Sequence, residues 1–122
     1  MTDQLNHETD AAAPVDTAGD LDLRFRDANL PVAERVEILL SQMTLEEKAG
    51  LFFQSMIAAG ADGTLSQGDD MFGLPATDDY VGRRLMNHFN VLRTPPTAEL
   101  IAELHNRLQE AAAGTRLVIP VT

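Results

Sequence analysis

Four aspartates stand in adjacent pairs, Asp69-Asp70 and Asp78-Asp79, and paired carboxylates are the groups that general acid–base or nucleophilic chemistry uses. Each pair is followed by turn or helix signals, so their expected roles are a solvated loop and a helix cap rather than catalysis. The stretch 62–70 (DGTLSQGDD) superficially resembles a calcium loop. It lacks acid or amide ligands at the third and fifth positions, carries Gln67 where the turn glycine belongs, and has no Glu at the twelfth. The three histidines, His7, His88 and His105, show no metal-ligand spacing, and His105 sits at the border of a helical stripe as a packed or half-exposed residue. With no cysteine, both a thiol nucleophile and a disulfide framework are excluded. No phosphate loop, nucleophile elbow or H-E-x-x-H occurs, and Arg83-Arg84 is expected to be a solvated helix face. Motifs alone yield no active site, no metal and no cofactor.

Any site must be placed by the elements around it, and these are readable from residue 21 onward. Residues 1–20 (MTDQLNHETDAAAPVDTAGD) are small, polar and acidic, and are expected to form a disordered arm. Residues 1–23 contain six acids and no Lys or Arg, so most of the formal charge of −10 belongs to this end. Acidity of this kind argues against a nucleic-acid partner, which would require a basic face. No apolar run approaches the roughly 20 residues of a membrane span, and the N-terminus lacks a signal-like basic and apolar pattern. The chain is therefore expected to be soluble and cytoplasmic, with no membrane partner.

The segment 20–27 (DLDLRFRD) alternates apolar and charged residues, as either a short strand or an extended strap, the strap being favoured. From Pro31 the apolar residues Val32, Val36, Leu39, Leu40 and Met43 follow a 3.6-residue period, with Pro31 at the first helical position. Thr44 and Glu47 then have the spacing of a capping box, starting a second helix expected to run through Leu45, Ala49, Phe52, Phe53 and Met56. Residues 58–76 contain four glycines and read as a long loop, of the kind that is usually functional or mobile. A short helix over 77–88 is expected, capped by Thr77 or Asp78, followed by a strand at Phe89–Leu92. A helix over 97–113, stopped by Gly114, carries the stripe Leu100, Ile101, Leu104 and Leu108. The apolar run 116–122 (RLVIPVT) suits a buried parallel strand, making residues 89–122 one βαβ unit. Such a unit cannot stand alone, because a parallel sheet needs helices on both faces, and the chain reads as truncated.

The order of these segments is informative. Arg35-Val36, Leu39-Leu40, Met43-Thr44-Leu45-Glu46-Glu47-Lys48, then Asn106-Arg107-Leu108-Gln109 and Arg116-Leu117-Val118-Ile119-Pro120, resemble the opening of glycoside hydrolase family 3. That family of β-glucosidases and β-xylosidases is exo-acting and retaining. The resemblance covers residues 21–122 and implies an α/β fold: the N-terminal portion of a (β/α)8 TIM-like barrel, with opening helices and a first βαβ unit behind the acidic arm. Two positions depart from the family pattern. Leu51 stands where Gln is usual, and Val118, which makes the last strand bulkier, where Gly is usual.

The resemblance also implies what this chain lacks. In the family, the acid that binds the nonreducing-end sugar lies just beyond the R-L-G-I-P strand. The Asp nucleophile comes later in the barrel, and the general acid from a following α/β sandwich domain. No position here matches any of the three, so no catalytic or substrate-binding residue is carried over, and Asp69, Asp70, Asp78 and Asp79 are not substitutes. The implied partners are a terminal β-linked glucoside or xyloside, the rest of the barrel, and the sandwich domain. The isolated chain is expected to be inactive. The alternative is a small non-enzymatic helical binding module derived from the same family.

Overall fold

The computed structural model describes residues 20–122, so the expectation for the acidic arm and for His7 lies outside the described residues except at Asp20. The next segment is neither a strand nor fully extended: it holds a helical turn, because its Asp22 cap favours local bonding. Leu23–Arg26 is a 3₁₀ turn capped by Asp22, whose carboxylate accepts from the Arg24 N–H at 3.0 Å. Gln42 then clips this segment to the following helix. Its Oε1 accepts from the Asp22 N–H at 2.6 Å and its Nε2 donates to the Asp22 carbonyl at 3.0 Å. Arg35 adds a bond from Nε to the Phe25 carbonyl at 2.8 Å.

Helix α1 spans Val32–Gln42, with Pro31 one position earlier than expected, at the N-cap rather than inside the helix. Met43 is extended, and α2 (Leu45–Gly50) begins with the expected capping box: Thr44 accepts from the Glu47 N–H and the Glu47 carboxylate accepts from the Thr44 N–H. The expectation that α2 continues through Met56 is overturned. The helix ends at Gly50, and Gln54–Ala58 is a strand, β1. Phe52, Phe53 and Met56 fit a helical period, but Ser55 and Ile57 alternate equally well as strand positions, and short apolar runs do not separate the two by period. Packing decides the matter. A Cβ on Gly50 would lie 2.3 Å from the Leu85 carbonyl oxygen, so the backbone of residues 84–85 crosses here against a glycine that ends the helix.

Strand β2, His88–Leu92, pairs with β1 in parallel, from Gln54 opposite His88 to Ala58 opposite Leu92. The crossover contains the long loop, tightened by antiparallel bridges Ala59–Leu65 and Asp69–Leu74, and a helical segment at 77–83 that widens to a π turn over Asp79–Arg83. Neither expected cap forms there: Asp78 makes no capping bond, and Thr77 is buried with its hydroxyl unpaired among the described residues. Helix α3, Ala98–Ala113, starts on the Thr97 side chain, which accepts from the Leu100 N–H at 3.3 Å. Gly114 ends it at φ −78°, without the left-handed turn that a C-terminal glycine often supplies.

The expected strand at 116–122 is corrected to a single aligned residue. The Thr122 N–H donates to the Asn87 carbonyl at 2.8 Å and the Phe89 N–H donates to the Thr122 carbonyl at 3.1 Å. These bonds straddle His88 as a parallel ladder requires. Upstream, Arg116–Pro120 takes no strand form: Val118 has φ +51° and Pro120 has no N–H to donate. The parallel pairing between β1 and β2 was not anticipated, whereas β2, α3 and Thr122 trace most of the anticipated unit.

The core gathers Ile57, Tyr80, Val81, Met86, Leu104, Leu108, Ala112 and Val121, with Phe89 packed against it. Tyr80 meets Phe89 with ring centroids 6.0 Å apart at 58°. One sheet face, through Ile57 and Phe89, is thus covered, while Gln54, Met56, His88 and Asn90 on the other are exposed. No residue of α1 is buried. The described architecture is a mixed helix–strand unit with a small parallel sheet, of α/β type.

Candidate functional site

The acids considered from sequence are placed in structural roles. The Asp62 Oδ1 accepts from Thr64 Oγ1 at 2.7 Å and from the Thr64 N–H at 3.3 Å, which closes a turn rather than a calcium loop. Its carboxyl is held below the usual range first by the Thr64 hydroxyl and then by that N–H. Asp79 receives both Arg83 and Arg84, which lower its pKa, and Arg84 also lies over the Tyr80 ring at 5.1 Å. The arginine pair is exposed, as expected, but paired rather than merely solvated. Asp70 and Asp78 are exposed. His88 Nδ1 meets the Thr122 hydroxyl, and His105 is exposed beside Gln109. Among the described residues no group of three or more His, Cys, Asp or Glu could hold a metal.

A set of polar ties, which sequence reasoning missed, positions the last segment. Arg116 Nε donates to Glu47 Oε1 at 3.0 Å, and its second nitrogen reaches Glu47 Oε2 and the Gln42 carbonyl, the latter at 2.7 Å. The capping box and the R-L-V-I-P run are therefore one physical unit. Burial pushes the Glu47 carboxyl up, but the Arg116 guanidinium and the Thr44 N–H together overcome this and leave it below the usual range. Gln109 grips the chain end in both directions: Nε2 donates to the Val121 carbonyl at 2.7 Å and Oε1 accepts from the Val121 N–H at 3.1 Å. Asn87 Nδ2 donates to the Pro120 carbonyl at 3.3 Å, and Arg26 donates to the Leu117 carbonyl at 3.2 Å. Leu51, Glu47 and Asn87 line one small cavity of about 30 Å³, and the buried Asn87 Oδ1 has no donor among the described residues.

A second cluster stands where both parallel strands end, the edge at which open α/β sheets bind ligands. Arg93 follows β2 with φ +55°, a left-handed conformation that a non-glycine residue adopts at a cost. Its guanidinium lies 5.4 Å from the Phe72 ring centroid and 3.4 Å from Asp69 Oδ2, both on the loop after β1. Asp69 Oδ1 accepts from the N–H groups of Met71 and Phe72 at 3.0 and 3.4 Å. Both Asp69 oxygens are thus engaged, which makes it a brace for this loop.

These features define a parallel α/β unit with loops at its strand ends. The comparisons narrow the class. No family model matches the chain. Over 98 residues, 80% of its length, it is 40% identical to "Probable beta-glucosidase C" of Aspergillus flavus. Over the same length it is 39% identical to "Beta-glucosidase C" of Emericella nidulans and 35% identical to "Periplasmic beta-glucosidase/beta-xylosidase" of Dickeya chrysanthemi. The chain spans about 15% of the length of each of these relatives. The resemblance read from the motifs is borne out: over those residues the chain is similar to proteins named β-glucosidase or β-xylosidase.

Proposed function

We propose that this chain is the opening segment of a (β/α)8-type barrel in a retaining, exo-acting β-glucosidase-like hydrolase, acting on terminal β-linked glucosides or xylosides. The observation that supports this reading is the parallel β1–β2 pair with Thr122 bonded in parallel register beside β2, in a chain whose relatives are named β-glucosidases. The exposed sheet face and the unburied α1 are the surfaces that further barrel strands and helices would cover. Retaining hydrolysis requires two carboxyl groups about 5–5.5 Å apart across the bond, one attacking and one protonating. Glu47, Asp69 and Asp79 are engaged in structural pairs, so the 122-residue chain by itself is proposed to be inactive. Catalysis would come from the remaining barrel and a sandwich domain.

The test is enzymatic. The 122-residue chain should not turn over a nitrophenyl β-glucoside, whereas the product of the complete reading frame should. That product should also be labelled covalently, at one carboxylate, by a 2-fluoro-glucoside inactivator. Turnover by the chain alone, or none by the complete product, rejects the proposal. Cytoplasmic residence belongs to the same proposal, and cell fractionation decides it, since one relative is named periplasmic.

A further inference from the structure

We propose that the small cavity between α2, the backbone before β2 and the terminal run is a binding site for a single water molecule, held by the side chains of Asn87 and Glu47. The observation that points to a ligand is the Asn87 amide. The residue is only 8% exposed, and its Oδ1 is buried with no donor among the described residues. Its orientation is set by the other branch of the amide. Nδ2 donates to the Pro120 carbonyl at 3.3 Å, and exchanging the two branches would set oxygen against oxygen. A buried carbonyl oxygen gives up its hydration on folding, a cost that stands unless a donor replaces the lost water. The other polar side chains lining the cavity are acceptors too. Glu47 Oε1 receives Arg116 Nε at 3.0 Å, and a carboxylate oxygen can accept a second bond. Thr115 Oγ1 already donates its proton to the Ala112 carbonyl at 2.7 Å. Water brings two donors on one atom, which is what this set of acceptors lacks.

Size and lining select the ligand. The cavity volume of about 30 Å³ exceeds the roughly 10–15 Å³ that one water requires. It is far below the roughly 300–1,000 Å³ of small-molecule pockets. Most of the wall is apolar, including Leu51, Val81 and Leu117, and a wholly apolar cavity would stay dry. The three polar side chains reverse that preference. Arg116 already pairs with Glu47, so the site has no need of a cation. The wall is also fixed. The backbone at Leu85 turns through φ +56°, and its carbonyl presses on Gly50, where an added Cβ would lie 2.3 Å away. Glu47 belongs to α2, Asn87 stands just before β2, and Thr115 follows α3. A water seated among them joins the Glu47–Arg116 pair to the Asn87–Pro120 tie, so that two anchors of the terminal run act as one.

Water-selective NMR on the full 122-residue chain tests the assignment, with circular dichroism to verify the fold of every variant. Cross-peaks at the water frequency should appear on the Leu51 methyl groups and the Asn87 side-chain amide, with the sign of a slowly exchanging bound molecule. Leu51→Gln carries a donor of its own into the cavity, and should abolish the cross-peak at Asn87 by displacing the water. Leu51→Ala only enlarges the space and should keep it. A crystal structure of the product of the complete reading frame gives a second measurement that does not depend on how well the shorter chain folds. One ordered water within hydrogen-bond distance of both Asn87 Oδ1 and Glu47 Oε1 is expected there. No water at that position in the crystal overturns the proposal. So do absent cross-peaks in a chain with a dispersed spectrum, or a cross-peak that persists unchanged in folded Leu51→Gln.

Discussion

Glu47 serves two structural purposes with one carboxylate: it closes the capping box of α2 and pairs with Arg116. The two can be separated. Glu47→Gln keeps an oxygen for the Thr44 N–H but removes the charge, and is expected to cost about 1–3 kcal/mol because Arg116 loses its partner. Glu47→Ala also removes the box and should cost about 1 kcal/mol more. Urea midpoints, with Arg116→Ala completing a double-mutant cycle, measure both. The pH dependence has a definite sign. The folded Glu47 carboxyl titrates below its ordinary value of 4.5, so its contribution is complete above that pH and is lost as pH falls through the depressed value. Glu47→Gln should flatten this acid limb of the stability curve. An unchanged limb would show that the pair contributes nothing. At this scale the sequence was legible only locally. Thr44 and Glu47 are three residues apart and announced their bond, whereas Arg116 lies 69 residues from Glu47 and nothing local signals the pairing.

Among the elements, the terminal run shows most clearly why an apolar pattern can mislead. Val118 was expected to add bulk to a strand, but it stands at φ +51° in a segment of bends. A β-branched residue is a poor occupant of that region, which costs an L-residue roughly 1–2 kcal/mol. The glycine typical of the resembled motif at this position therefore has a backbone reason. Val118→Gly is expected to stabilise the chain by about 1 kcal/mol, net of the unfolded-state entropy glycine adds. Val118→Ala should recover little of that. A thermal melt comparing the two decides it, and a destabilised glycine variant would mean that Val118 packing outweighs its backbone strain. The helix pattern of α3 was readable because Leu104 and Leu108 recur over 16 residues, while α2 and β1 were confused because six residues and five offer too few periods.

Taken whole, the chain leaves a large amount of apolar surface uncovered. Val32 in α1 is 71% exposed, Leu45 in α2 78% and Phe52 in the turn after it 87%. Such patches are typical of surfaces that pack against something else. The expected outcome for the isolated chain at neutral pH is strong ANS fluorescence, with a broad, low-amplitude thermal transition. Charged replacements at Val32 and Phe52 should reduce the dye signal without loss of helix content. A sharp monomeric transition with no dye binding would show that the described fold is self-sufficient.

By itself, the sequence determined the parts whose causes are local or repeated: the Thr44 box, the long helix α3, strand β2 and the ordered motifs that tie the chain to β-glucosidase relatives. It also determined that cysteine chemistry has no place here. Tertiary structure alone decided that β1 exists beside β2 and that Arg116 anchors on Glu47. It likewise brought Arg93 to Phe72 across the strand ends. Each of these joins residues far apart in the chain, and the free energy of such contacts depends on which backbone crosses which, a property that no window of neighbouring residues contains.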